Sequence, residues 1–187
     1  MGKLSIFLAL AASMAAQDSK RELGVPQIRL FTGFNLEDGR VGAQPTAGAG
    51  FDIGLNRWLA VTTGYSWNRI AGAKVEAWNY TARARAARHD LLGGLRAQVP
   101  NPSRLTPFVS ILAGVTIVTA NAFLDHQRIV RDSMARPAAG VGAGFEVRMG
   151  AGFSVLAQAQ AVRPQDMRWY GNCGFGIAYR TPPKSGW

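Results

Sequence analysis

Arg168-Trp169-Tyr170-Gly171-Asn172-Cys173-Gly174-Phe175-Gly176-Ile177-Ala178-Tyr179-Arg180 separates into two unlike rows when every second residue is taken. One row is Trp169, Gly171, Cys173, Phe175, Ile177 and Tyr179; the other is Arg168, Tyr170, Asn172, Gly174, Gly176, Ala178 and Arg180. Successive side chains of a β-strand point to opposite faces, so the stretch predicts one oily surface with aromatics near both ends and one small or polar surface. The second row is the informative one. Small residues and charges suit the crowded inside of a narrow barrel, whereas a solvated outside would favour Lys, Glu and Thr. A soluble lipocalin-like barrel, with its apolar face inward, is the competing reading.

The same period recurs upstream. Arg136 to Met149 sets Val141, Ala143, Phe145 and Val147 against Gly140, Gly142, Gly144, Glu146 and Arg148. Phe153 to Ala161 alternates Phe153, Val155, Ala157 and Ala159 with Ser154, Leu156, Gln158 and Gln160, and two glutamines on one face do not suit a dry core. Thr106–Val118, Arg88–Val99, Trp58–Trp67, Ala47–Leu55 and the weaker Gln27–Asn35 behave alike. That makes eight segments, each near the ~9–11 residues a tilted strand needs to cross a bilayer. An even number closes an antiparallel sheet and returns both ends to one side. Closure is required because lipid cannot hydrogen-bond a free sheet edge. The expected fold is all-β: an eight-stranded antiparallel up-and-down transmembrane β-barrel over residues 25–181.

The connections alternate in length. Asn56-Arg57, the stretch around Pro100-Asn101-Pro102-Ser103, and Gly150 with its neighbours are short. Leu36 to Thr46, Asn68 to Ala87, Thr119 to Ala135 and Val162 to Met167 are mostly longer and polar. Short turns belong to the periplasmic side of such barrels and long loops to the outside, so both termini are expected in the periplasm.

Composition agrees. Hydrophobic residues are 48% of the 187, yet the mean hydropathy is only +0.01, so apolar residues are diluted throughout. No run approaches the ~18 apolar residues of a spanning helix. The 22 glycines disfavour helix, while the aromatics, 10% of the chain, favour strand. Lys3 followed by the apolar run Leu4 to Ala12 and then Ser13-Met14-Ala15-Ala16 has the form of a cleavable signal peptide over residues 1–16. Loss of Lys3 with it lowers the formal charge from +10 to +9. After export, lipid phosphates or lipopolysaccharide suit that charge better than nucleic acid. Cys173 is the single cysteine, so neither an intramolecular disulfide nor a cysteine-based metal site is available.

On these residues the chain resembles the OmpA-like and OmpX-like eight-stranded outer-membrane β-barrel superfamily, over roughly Gln27 to Arg180. Within the last strand, Asn172, Gly174, Ile177 and Tyr179 fit the polar-x-Gly-x-x-hydrophobic-x-hydrophobic signal that the barrel assembly machinery reads in that family. Members usually end on the aromatic residue of that strand. Here residues 180–187 follow, of which 182–187 are read as a short periplasmic tail, too short for the peptidoglycan-binding domain of larger relatives. The resemblance implies a monomeric protein of the outer membrane of a Gram-negative-type bacterium.

Eight charged residues fall on the face read as interior: Arg29, Asp52, Arg88, Asp90, Arg96, Glu146, Arg148 and Arg168. An isolated interior charge is costly and a paired one is tolerated, so an ion-pair network filling the lumen is expected. A second group, Arg69, Lys74, Arg83 and Arg85, lies in the second long connection with Trp78 and Tyr80. Arginine binds phosphate through paired hydrogen bonds and aromatics favour the membrane interface, so contact with lipopolysaccharide is a candidate role there. The only histidines are His89 and His126. Asp125-His126 has no serine compellingly paired with it, and no hydrolase motif is found. Gly140-Val141-Gly142-Ala143-Gly144 lacks the Lys-Ser/Thr and the helix of a nucleotide loop, and Asn79-Tyr80-Thr81 reads as a chance sequon. No cofactor, metal or enzymatic activity is expected. The sequence therefore predicts a structural or surface-interaction barrel of the adhesion type with a filled lumen; a narrow solute channel is the alternative, and a lipid-modifying enzyme a weaker one.

Overall fold

The computed structural model describes residues 24–37, 44–77, 80–99, 104–125, 127–150 and 152–181. The signal segment 1–16, the tail 182–187, Trp78, Asn79 and His126 lie outside the described residues. Eight strands follow in chain order: β1 Pro26–Glu37, β2 Gln44–Gly54, β3 Leu59–Ala77, β4 Tyr80–Gln98, β5 Leu105–Leu124, β6 Gln127–Gly150, β7 Phe153–Pro164 and β8 Tyr170–Arg180. Each pairs antiparallel with the next, and β8 returns to β1 with Gly33 opposite Gly174 and Leu30 opposite Ile177. The sheet is a closed barrel.

Side-chain burial settles which face is which. Phe145, Val155 and Ile177 are exposed on the outer wall, while Glu146, between Phe145 and Val147, is only 3% exposed. Ile28, Leu30, Phe51, Ile53, Leu91, Ile111 and Phe175 join the outer set. Arg29, Asp52, Asp90, Arg96, Thr62 and Thr116 are buried. A soluble barrel would have the reverse, so the lipocalin-like alternative fails on this observation.

Glycines make the interior wide enough. A Cβ on Gly50 would stand 2.9 Å from Arg29 Nη2, and one on Gly144 would stand 2.7 Å from Phe108 Cζ. Arg29 and Phe108 thus each rest in a notch left by a glycine on a neighbouring strand. An eight-stranded barrel has room for little else.

The long connections differ from expectation. Asn68 to Ala87 and Thr119 to Ala135 are mostly strand: β3 and β4 stay paired from Asn68↔Arg88 to Ala77↔Tyr80, and β5 and β6 from Thr119↔Ser133 to Leu124↔Gln127. Together with the β4–β5 ladder, which runs up to Ala82↔Leu124, they form a four-stranded ribbon beyond the wall. Beyond the wall no lipid selects an oily row, so alternation of hydrophobicity vanishes while the backbone pairing continues. Two β-bulges interrupt the ribbon, between Arg69 and Ala71 on β3 and opposite Ala122 and Phe123 on β5.

Candidate functional site

The lumen holds two polar clusters. In the one nearer the short turns, Arg29 on β1 donates Nη2 to Asp52 Oδ1 on β2 at 2.7 Å and to Thr62 Oγ1 at 2.6 Å. Asp52 Oδ2 accepts from Arg96 Nη1 of β4 at 2.7 Å, and Arg96 Nη2 reaches Glu146 Oε2 of β6 at 3.0 Å. Gln27 Nε2 adds a second donor to Glu146 at 3.1 Å, and Arg180 Nη2 holds Gln27 Oε1 at 3.1 Å. Two cations and two carboxylates therefore alternate across the bore, each carboxylate taking more than one donor. Such pairing is what lets charge stay in a dry interior.

The second cluster centres on Asp90. Its carboxylate accepts from Tyr170 Oη at 2.6 Å, Asn68 Nδ2 at 2.7 Å, Thr116 Oγ1 at 2.8 Å and Ser66 Oγ at 3.1 Å. Arg88 donates to Asn35 Oδ1 at 3.0 Å and lies 3.1 Å above the centre of the Tyr170 ring. Between the clusters Phe31, Leu92, Phe108 and Leu112 border a void of about 50 Å³, together with Arg96, which sits 3.8 Å over Phe108. That space suits a water or two, not a hydrated ion path.

Of the eight interior charges expected, Arg29, Asp52, Arg96 and Glu146 form one chain of ion pairs. Arg88 and Asp90 are buried in the other cluster. Arg148 and Arg168 are exposed and belong to neither. Arg148 lies beside the irregularity between Arg148 and Gly150, where the ladder ends at the mouth, and Arg168 precedes β8, which starts at Tyr170. Sequence reasoning by charge missed the neutral partners Gln27, Thr62, Ser66, Asn68, Thr116 and Tyr170. Their signal was position: each stands on the inner row of its strand.

The ribbon carries the other candidate surface. On β4, Arg83 and Arg85 continue the outward row of Leu91 and His89, so they share the side that lower down faces lipid. Register places Lys74, Arg83, Phe123 and Arg128 on one rung, and Gly72, Arg85, Asn121 and Arg131 on the next. Arg69, opposite Ala87, lies one rung nearer the wall and extends toward Gly72. Arg83, Arg85, Phe123 and Thr81 line a hollow of about 210 Å³, and Arg83 Nε is buried there without a hydrogen-bond partner among the described residues. Among the described residues Glu76 is the acidic residue on this side; it pairs with Lys74, whose hydrogen bond and charge hold the Glu76 carboxyl below the usual carboxylate range. The opposite side of the ribbon presents Ala73, Ala84, Ala86, Ala120, Ala122 and Val130, with Asp132 across from Ala120. Arg69, Lys74, Arg83 and Arg85 are thus brought to one surface, and Arg128 and Arg131, which sequence reasoning left out, stand beside them.

The last strand places the four residues of the assembly pattern on both faces. Asn172 is buried, with neither amide atom partnered among the described residues. Gly174 packs against the Thr32 carbonyl, and Ile177 and Tyr179 face outward, Tyr179 with its ring 4.8 Å from that of Phe153. His89 is on the outer wall, bonded to Tyr65 Oη at 2.7 Å, and the Asp125 carboxylate accepts from the backbone of Thr81 at 2.8 Å. Cys173 is exposed on the outer wall.

No protein-family model matches the sequence, and no curated protein matches it significantly. Solved structures do share the fold. Ail, the attachment invasion locus protein of Yersinia pestis, in complex with the heparin analogue sucrose octasulfate, superposes with a TM-score of 0.62 at 15% identity, over 85% of this chain and 99% of that one. Neisserial surface protein A gives 0.54 at 9% identity over 84% and 96%. The N-terminal β-barrel domain of OprF from Pseudomonas aeruginosa gives 0.53 at 13% over 85% and 98%.

Proposed function

Because this chain has the eight-stranded barrel fold of the OmpA/OmpX type, we propose that it is an outer-membrane protein acting through its surface rather than through its bore. The observation that carries this is Arg96 holding Asp52 and Glu146 at once, which fills the lumen where a channel would need to be open. The ribbon is the working part, with a structural or adhesion-type role. Its outward cations, Arg69, Lys74, Arg83 and Arg85, contact lipopolysaccharide, and the wall contacts the surrounding lipids. The signal segment 1–16 directs export, both termini face the periplasm, and the protein acts as a monomer. Asn172, Gly174, Ile177 and Tyr179 serve as the signal to the barrel assembly machinery. In this role it works by binding, without an enzymatic step.

Cell fractionation with heat-modifiable gel migration tests the location: a faster unboiled band in the outer-membrane fraction is expected. Planar-bilayer recording of the purified protein tests the role. Silence supports a surface function, and a large steady conductance replaces it with the channel reading.

A further inference from the structure

We propose that the outward side of the ribbon binds a ligand with two anionic groups about 10 Å apart, and that Arg128 and Arg131 supply the second arm. The ligand is a bisphosphorylated glycolipid headgroup of the surrounding leaflet. This rests on reading the barrel as an outer-membrane protein in contact with such lipids.

The spacing follows from the ladder. Arg83 and Arg128 flank Phe123, and Arg85 and Arg131 flank Asn121, in each case two strands apart. At roughly 4.8 Å per strand, each pair spans about 10 Å, and the two rungs are about 7 Å apart along the strands. The result is two arginine forks, Arg83 with Arg85 and Arg128 with Arg131, separated by an uncharged strand. Guanidinium groups grip phosphate oxygens through parallel hydrogen bonds, so each fork suits one phosphate. The first fork opens on the hollow of about 210 Å³, where Arg83 Nε, without a hydrogen-bond partner among the described residues, is free to donate to an acceptor. Phe123 lines the same hollow and offers an apolar surface to the sugar between the phosphates. Lys74, on the same rung, is paired with Glu76 and stands outside the two forks.

Position selects a lipid over a soluble polyanion. The four arginines sit two and three rungs above the Trp67–His89–Ile117 rung, on the same outward side as the lipid-facing wall. A phosphorylated sugar headgroup that projects outward from an adjacent lipid meets this side of the ribbon rather than the other. The opposite side of the ribbon presents alanines and the acidic Asp132 instead.

The test uses the full-length protein in phosphatidylcholine nanodiscs doped with bisphosphoryl lipid A or with its monophosphoryl form, bound lipid being counted by native mass spectrometry. The wild type is expected to retain the bisphosphoryl lipid about tenfold more tightly, the worth of one charge-assisted contact. Arg128→Gln with Arg131→Gln should erase that preference while keeping the monophosphoryl affinity. Arg83→Gln with Arg85→Gln should weaken both. Equal retention of the two lipids by the wild type overturns the two-armed site yet leaves headgroup contact standing; retention of neither above background overturns headgroup contact itself. Displacement of the lipid by millimolar inorganic phosphate would reassign the arginines to a free anion and overturn the lipid assignment. Folding of each variant is checked by heat-modifiable migration. Should one fail to fold, the wild type still decides, because the bisphosphoryl lipid must lose affinity with added salt more steeply than the monophosphoryl one.

Discussion

Tyr170 donates its hydroxyl to Asp90 across 2.6 Å, tying the first residue of β8 to the inner row of β4. Thr116, Asn68 and Ser66 donate to the same carboxylate, and the Tyr170 ring also carries the Arg88 guanidinium. Replacing Tyr170 by Phe keeps the ring and removes the donor. A hydrogen bond to a buried charge contributes about 2 kcal/mol, and Tyr170→Phe should lower unfolding stability by that amount. Guanidinium titration in lipid vesicles measures it; an unchanged midpoint would mean that the remaining donors suffice.

Arg96 and Glu146 should behave as a coupled pair. Glu146→Gln, or Arg96→Met, leaves the remaining partner short of its counter-charge, at a cost of about 3 kcal/mol each. The double variant should cost less than the two singles together, because neither charge is then stranded. A double-mutant cycle gives the coupling directly, and strict additivity would mean that the 3.0 Å contact carries no weight.

The bore should conduct only when its middle is emptied. Arg96→Ala with Phe108→Ala removes both the ion-pair bridge and the ring it lies on. Small discrete openings are expected from this variant in planar bilayers, against silence from the wild type.

Outward and inward positions should differ sharply in tolerance of charge. Ile177 is 54% exposed on the wall. Arginine at the middle of such a wall costs about 2–4 kcal/mol, so Ile177→Arg should reduce the folded fraction in vesicles. Thr181→Arg, past the end of β8, should leave that fraction unchanged.

Gly174 tests the closing seam. A Cβ there would stand 2.6 Å from the Thr32 carbonyl oxygen, and backbone cannot yield as a flexible side chain does. Gly174→Val should abolish the fast-migrating unboiled band. Gly171→Ala is the control, since its nearest neighbour, the Gln160 carbonyl oxygen, is at 3.8 Å.

Residues that face lipid could be read from the sequence because a physical phase selects them: Phe145 and Val147 on either side of Glu146 leave one arrangement that avoids charge in hydrocarbon. The same contrast exposed Asp52 and Arg96 as interior residues. Pairing beyond the wall has no such selector, and there the reading of Asn68 to Ala87 as a loop missed a ladder. Counting by twos would also put Arg69 and Lys74 on opposite faces, and likewise Arg128 and Arg131. The bulge between Arg69 and Ala71, and the one that passes over Ile129, each reverse the count and bring the pairs to one side. A bulge is one extra residue in a backbone ladder, and its position depends on the partner strand rather than on local residue type.

The uninterrupted run of β4 from the ribbon tip into the wall has a mechanical side. Traction applied to something held near Arg83 passes down a single strand flanked by β3 and β5 along nearly its whole length. Cross-strand bonds on both flanks then share the load side by side, and no slack tether intervenes. The barrel acts as a post set in the bilayer, able to bear pulling at its head without first unravelling a loop.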